Sequence, residues 1–133
     1  MSKKKKILYN NKGITGIDLT LSVIVLTTFV GIIIGLMVNN YRTSLEIQKS
    51  ANAMSYATMI LEKVDEKSYE KVTDDFLSTI SGEISMDSDY DISFNVSQLD
   101  DSDYVKKVTI KVSYVVNNQR KDINISKLKI KEI

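Results

Sequence analysis

The run from Ile14 to Val38 carries a single ionisable side chain, Asp18, close to its start. A helix rises about 1.5 Å per residue, so this run would extend about 37 Å and could cross a hydrocarbon core of about 30 Å. From Asn39 to Val72 neither proline nor glycine interrupts the chain. Over that stretch Ile47, Ala51, Met54, Ala57, Leu61 and Val64 recur every three or four positions, the period of an amphipathic helix. One helix is therefore expected from about residue 15 to about residue 70. Its first half is apolar all round, and its second half has an apolar stripe expected to face this protein's own sheet, the alternative being a coiled coil.

The pattern then changes. Residues 73–86 suit a short helix or loop, with Thr73 as a cap, Phe76, Leu77 and Ile80 as anchors, and Gly82 as the stop. Tyr90, Ile92, Phe94 and Val96 alternate with polar residues, as do Val108, Ile110, Val112, Tyr114 and Val116. This period of two predicts strands with one apolar face each. After a polar turn over Asn117–Asp122 a third strand carries Ile123, Ile125, Leu128 and Ile130. Its phase shifts after Ile125, which predicts a bulge near Ser126–Lys127. Strands with one apolar face fit an antiparallel sheet covered on one side. The expected fold class is α+β: a long amino-terminal helix packed on a three-stranded antiparallel sheet over about residues 90–131.

Charge gives the apolar run a direction. Residues 1–13 hold five lysines (Lys3, Lys4, Lys5, Lys6 and Lys12) and no acid, so a formal +1 for the whole chain leaves residues 14–133 at −4. Basic residues flanking a membrane helix stay on the cytoplasmic side, which would put the carboxy-terminal body outside. The run is longer than a secretory signal core, and "GLMVNNYR" after it lacks the small-residue cleavage pattern. The acidic body does not suit phosphate backbones, so no direct nucleic-acid binding is expected.

Candidate chemistry is sparse. The chain has no cysteine and no histidine, the usual players in nucleophilic and thiolate-metal chemistry, so no catalytic residue, cofactor or enzyme activity is expected. Asp87-x-Asp89-x-Asp91 begins like a calcium loop, but glycine is missing at the sixth place and Gln98 stands at the twelfth. This cluster and Asp100, Asp101 and Asp103 read as solvated turns, and no metal site is expected. Gly31-x-x-x-Gly35 could let membrane helices approach closely. Asp18 needs an account, because a carboxylate at the centre of a bilayer costs about 2.5–3.5 kcal/mol on insertion scales. Thr15-x-x-Asp18 could be a capping box, which would make Asp18 a helix cap and no more.

The order Lys12-Gly13-Ile14, with Asp18 four residues later, resembles the amino-terminal signal of type IV pilins and type II secretion pseudopilins. In that family a basic leader ends in glycine and a carboxylate stands at the fifth mature position. This chain differs in having Asp where Glu is commoner, Gly16 where a larger apolar residue is common, and no proline in the helix. The resemblance implies cleavage after Gly13 by a prepilin peptidase and N-methylation of Ile14. It also implies that Asp18 pairs with the amine of a neighbouring subunit and sets the assembly register. The parts would then be a leader (1–13), a transmembrane helix half (14–38) and an extracytoplasmic domain (39–133). The implied partners are other pilin or pseudopilin subunits, an assembly platform membrane protein with its ATPase, and membrane lipid. A short meander without a cysteine-closed tail is most similar to a minor pilin or minor pseudopilin of a pilus, secretion or competence system. The alternative is a signal-anchored extracellular binding module that is never cleaved.

Overall fold

In the computed structural model the described residues are 11–99 and 103–132, with side chains from Gly16 onward. Helix α1 covers Asn11–Glu66. A single 3₁₀ turn follows over Tyr69–Lys71, then a short helix α2 over Phe76–Ile80. Three strands complete the chain: β1 (Tyr90–Gln98), β2 (Val105–Val116) and β3 (Gln119–Ile130). They form an antiparallel meander in the order β1-β2-β3. The expected α+β class and its sheet are those observed. The chain divides between Tyr41 and Arg42 into two units.

The first unit is helix alone. Its apolar side chains from Ile17 to Val38 lie on the surface, and the helix is long and apolar enough to cross a membrane. Three of its threonine hydroxyls bond the preceding turn: Thr20, Thr27 and Thr28 donate to the carbonyls of Gly16, Val23 and Ile24 at 2.9, 2.7 and 2.9 Å. Such bonds to the preceding turn satisfy each hydroxyl without an outside partner, as an apolar solvent requires.

The second unit has a core between the later part of α1 and one face of the sheet. Ala53, Ala57, Ile60 and Val64 are buried against Val108, Ile110 and Val112. The two alanines let the helix backbone come close to the sheet. The central strand supplies the fully buried sheet residues because β1 and β3 flank it on both sides. Cross-strand rows continue the core outward, with Phe94, Ile110 and Ile125 in one row and Ile92, Val112 and Ile123 in the next. Val72, Phe76, Ile80 and Ile84 close the open end, and the Phe76 and Phe94 rings stack 5.4 Å apart.

Polar contacts fix the pieces around this core. Lys106 crosses from β2 to donate to the Tyr69 and Val72 carbonyls, both at 3.1 Å, with its Nζ 4.3 Å from the Tyr69 ring centroid. It thereby gives the Val72 carbonyl a charged donor and adds one to the Tyr69 carbonyl, which also accepts the Val72 amide at 3.4 Å. Asp74 accepts the Val96 amide at 2.7 Å, occupying part of the exposed edge of β1. Ion pairs Lys121–Glu46 and Lys127–Asp65 join β3 to α1, and Lys131 reaches Glu70 at 3.7 Å.

Several local expectations are corrected. Helix α1 ends at Glu66 rather than near residue 70, and it already covers Asn11, so Thr15–Asp18 lies within it rather than at its first turn. Thr73 is not a side-chain cap; its carbonyl accepts the Phe76 amide at 2.9 Å. The turn is two residues, Asn117 and Asn118, at φ 51° and 60°, the left-handed pair of a tight hairpin. No bulge interrupts β3: Thr109 pairs with Ser126 and Val108 with Lys127 in unbroken register. Parity explains the phase shift. Leu128 and Ile130 lie on the open face, 50% and 63% exposed, while Lys127 and Lys129 turn toward α1 and bond Asp65.

The apolar stripe of α1 was also only half correctly placed. Ala57, Leu61 and Val64 are buried or half-buried, but Ile47 and Met54 are 64% and 48% exposed. A chain beginning at Arg42 should therefore fold alone, with mixed helix and strand by circular dichroism. Within it, Ile110→Ala should cost about 2–5 kcal/mol in denaturant unfolding. Ile47→Ala should stay within about 0.5 kcal/mol, because no core is lost.

Candidate functional site

The residues singled out in the sequence all lie on α1. Gly13 and Ile14 belong to its helical backbone, and the Ile14 side chain is outside the described residues, as are leader residues 1–10. Asp18 follows one turn later with its side chain exposed. Among the described residues its carboxylate has no hydrogen-bond or ion-pair partner. The helix therefore presents an exposed carboxylate at the start of an apolar surface.

Gly31 and Gly35 lie further along the same helix. A Cβ added to either would meet nothing within 4 Å. Packing inside this chain therefore does not require them. Their missing side chains expose a strip of helix backbone to whatever surrounds the helix, the condition for close helix–helix approach in a membrane.

The acidic turns are arranged differently. Asp87 accepts the Asp89 amide at 3.3 Å, Asp89 pairs with Lys49 at 3.3 Å, and Asp91 pairs with Arg120 at 3.2 Å. Three carboxylates two residues apart thus turn to three different partners. Among the described residues no group of three or more potential metal ligands converges. Asp100 and Asp101 lie outside the described residues.

On the open face of the sheet, the Asp122 carboxyl is held below the usual carboxylate range by the Ser113 hydroxyl and by Lys111. Two cations that brace α1 are shifted the other way. Hydrogen bonds to Glu66 and Glu83 raise Lys63, and a hydrogen bond to Glu46 raises Lys121 above the ordinary 10.5. Two side-chain roles had no readable signal in the sequence, Lys106 on the 3₁₀ carbonyls and Asp74 on the β1 edge, because each joins residues more than twenty positions apart.

No protein family model, curated protein or solved structure matches this chain.

The Lys121–Glu46 tie has a pH dependence of definite sign. A folded-state value raised above 10.5 means that its contribution is complete below about 10.5 and is lost as pH rises through the raised value. In the chain beginning at Arg42, Glu46→Gln should return Lys121 to ordinary ammonium titration, as followed by nuclear magnetic resonance of the lysine side chains.

Proposed function

We propose that this chain is a prepilin-like structural subunit, cut after Gly13, N-methylated at Ile14 and assembled through its helix into a pilus or pseudopilus as a minor component. The observation that carries the reading is the junction itself: Gly13 directly after Lys12, Ile14 next, and a carboxylate at Asp18 heading an apolar helix. That Asp18 has no partner among the described residues supports it further. In hydrocarbon a lone carboxylate is stabilised by an opposite charge, and cleavage would create one at the Ile14 amine of a neighbouring subunit. Support also comes from the architecture, in which one helix supplies both the apolar segment and the cover of a small antiparallel sheet. In this reading the helix spans the membrane, with the basic leader cytoplasmic and the sheet domain outside.

The partners are those that such an assembly needs: the prepilin peptidase, other pilin or pseudopilin subunits, the platform membrane protein with its ATPase, and lipid. The acidic side chains of the domain act as local braces in this scheme and carry no chemistry.

Processing is tested by co-expressing the full chain with a prepilin peptidase and measuring intact mass. The product should lack its first 13 residues and carry one added methyl group. Gly13→Val should block the cut. An uncut chain beside an active peptidase would return the protein to an anchored binding module.

The role of Asp18 has a separate test. Asp18→Asn should insert and be cleaved normally, yet lose assembly, because the neighbouring amine would be left without its counter-charge. Breaking a buried pair costs about 3–5 kcal/mol, or about two to three and a half decades in association. Asp18→Glu should assemble. Co-purification with other filament subunits is the readout, and normal assembly of the Asn variant would exclude the pairing.

A further inference from the structure

The tripeptide Asn-x-Ser/Thr occurs at Asn95-Val96-Ser97 and at Asn124-Ile125-Ser126, and at no other asparagine of the chain. It is the acceptor pattern for attaching a glycan to an asparagine amide. Side chains two residues apart on a strand share a face. Each tripeptide therefore puts its amide and its hydroxyl together on one side of the sheet and its middle residue on the other. Val96 and Ile125 pack against the core, while Asn95, Ser97, Asn124 and Ser126 are exposed on the open face.

Both amides lie on edge strands. The sheet order is β1-β2-β3, and Asn95 and Asn124 each stand near the middle of an outer strand. Releasing an edge strand breaks one ladder of hydrogen bonds, whereas releasing β2 would break two. The space around the amides is also clear. Asn95 has Ser93, Ser97 and Thr109 as neighbours on its face, all of them small. Lys111, opposite Asn124, is engaged with Asp122 at 3.1 Å. Among the described residues neither amide has a hydrogen-bond partner, so a substituent on it displaces no contact.

We propose that Asn95 and Asn124 are N-glycosylation sites that carry sugar on the open face of the sheet. The proposal rests on the extracytoplasmic placement in the reading above, but not on cleavage or assembly. The donor is a glycan linked through phosphate to a membrane polyprenol. In the transfer the amide nitrogen bonds the anomeric carbon and loses one proton. The bond from that carbon to the phosphate oxygen breaks, and the polyprenyl phosphate leaves with the electron pair. The transferring enzyme reads the hydroxyl two residues on, so Ser97 and Ser126 belong to the sites. Glycans there cover the open face and overhang both edges, where unpaired backbone otherwise invites another strand. The face beneath α1 stays free.

The test uses the full chain, purified from membranes of the cells that naturally produce it. Its intact mass should exceed that of the polypeptide, and glycopeptide sequencing by mass spectrometry should place the carbohydrate on Asn95 and Asn124. Asn95→Gln and Asn124→Gln should each remove about half of the added mass, and the double variant all of it. Ser97→Ala and Ser126→Ala should abolish modification of the asparagine before them, and Ser97→Thr and Ser126→Thr should retain it. The Gln variants should keep the parent's circular dichroism, because both side chains are exposed. Unmodified asparagines, or sugar found on the serines instead, would overturn the proposal. Placement is read in parallel with a membrane-impermeant maleimide on intact cells carrying a Ser88→Cys chain, which has no other thiol. Unmodified asparagines in a labelled chain would remove the glycan sites alone. In an unlabelled chain they would remove the outside placement as well.

Discussion

The carboxy-terminal unit depends on one contact, the burial of the inner face of β2 beneath α1. A three-stranded meander with one apolar face is not stable while that face is wet, and no disulfide is available to substitute. Val108, Ile110 and Val112 supply the floor, Ile60 and Val64 the cover, and Ala53 and Ala57 the clearance that lets helix and sheet meet. Burying one such aliphatic side chain contributes about 1.5–3 kcal/mol, which outweighs any of the exposed ion pairs around it. The pairs Lys121–Glu46 and Lys127–Asp65 are better understood as setting where along α1 the third strand lies.

Helix α1 changes character along its length. Along its first part, threonine hydroxyls are returned to the backbone and the surface is apolar on every side. Along its second part, only the stripe against the sheet is dry. Asp18 departs from the first pattern, and the exposed Ile47–Ala51–Met54 stripe departs from the second. The proposed function rests on the first of these together with the Lys12–Gly13–Ile14 junction.

The sequence by itself determined the class of each element. Alternation in β1 and β2 was readable because each strand's faces are set by residue parity, a local property of the pleat. Length and the lack of charge identified the apolar helix for the same local reason, and Gly13, Ile14 and Asp18 stood out by spacing alone. What only the tertiary structure decided was which surface each apolar residue faces. Six positions at helical spacing looked like one stripe, yet the sheet covers an arc too narrow to reach Ile47 and Met54. The parity change at Leu128 suggested a bulge, yet Asp65 on a distant helix holds Lys127 and Lys129 inward and leaves Leu128 and Ile130 outside. Periodicity reports the geometry of one segment, whereas burial depends on the neighbour that reaches it, and that neighbour lies sixty residues away in the chain.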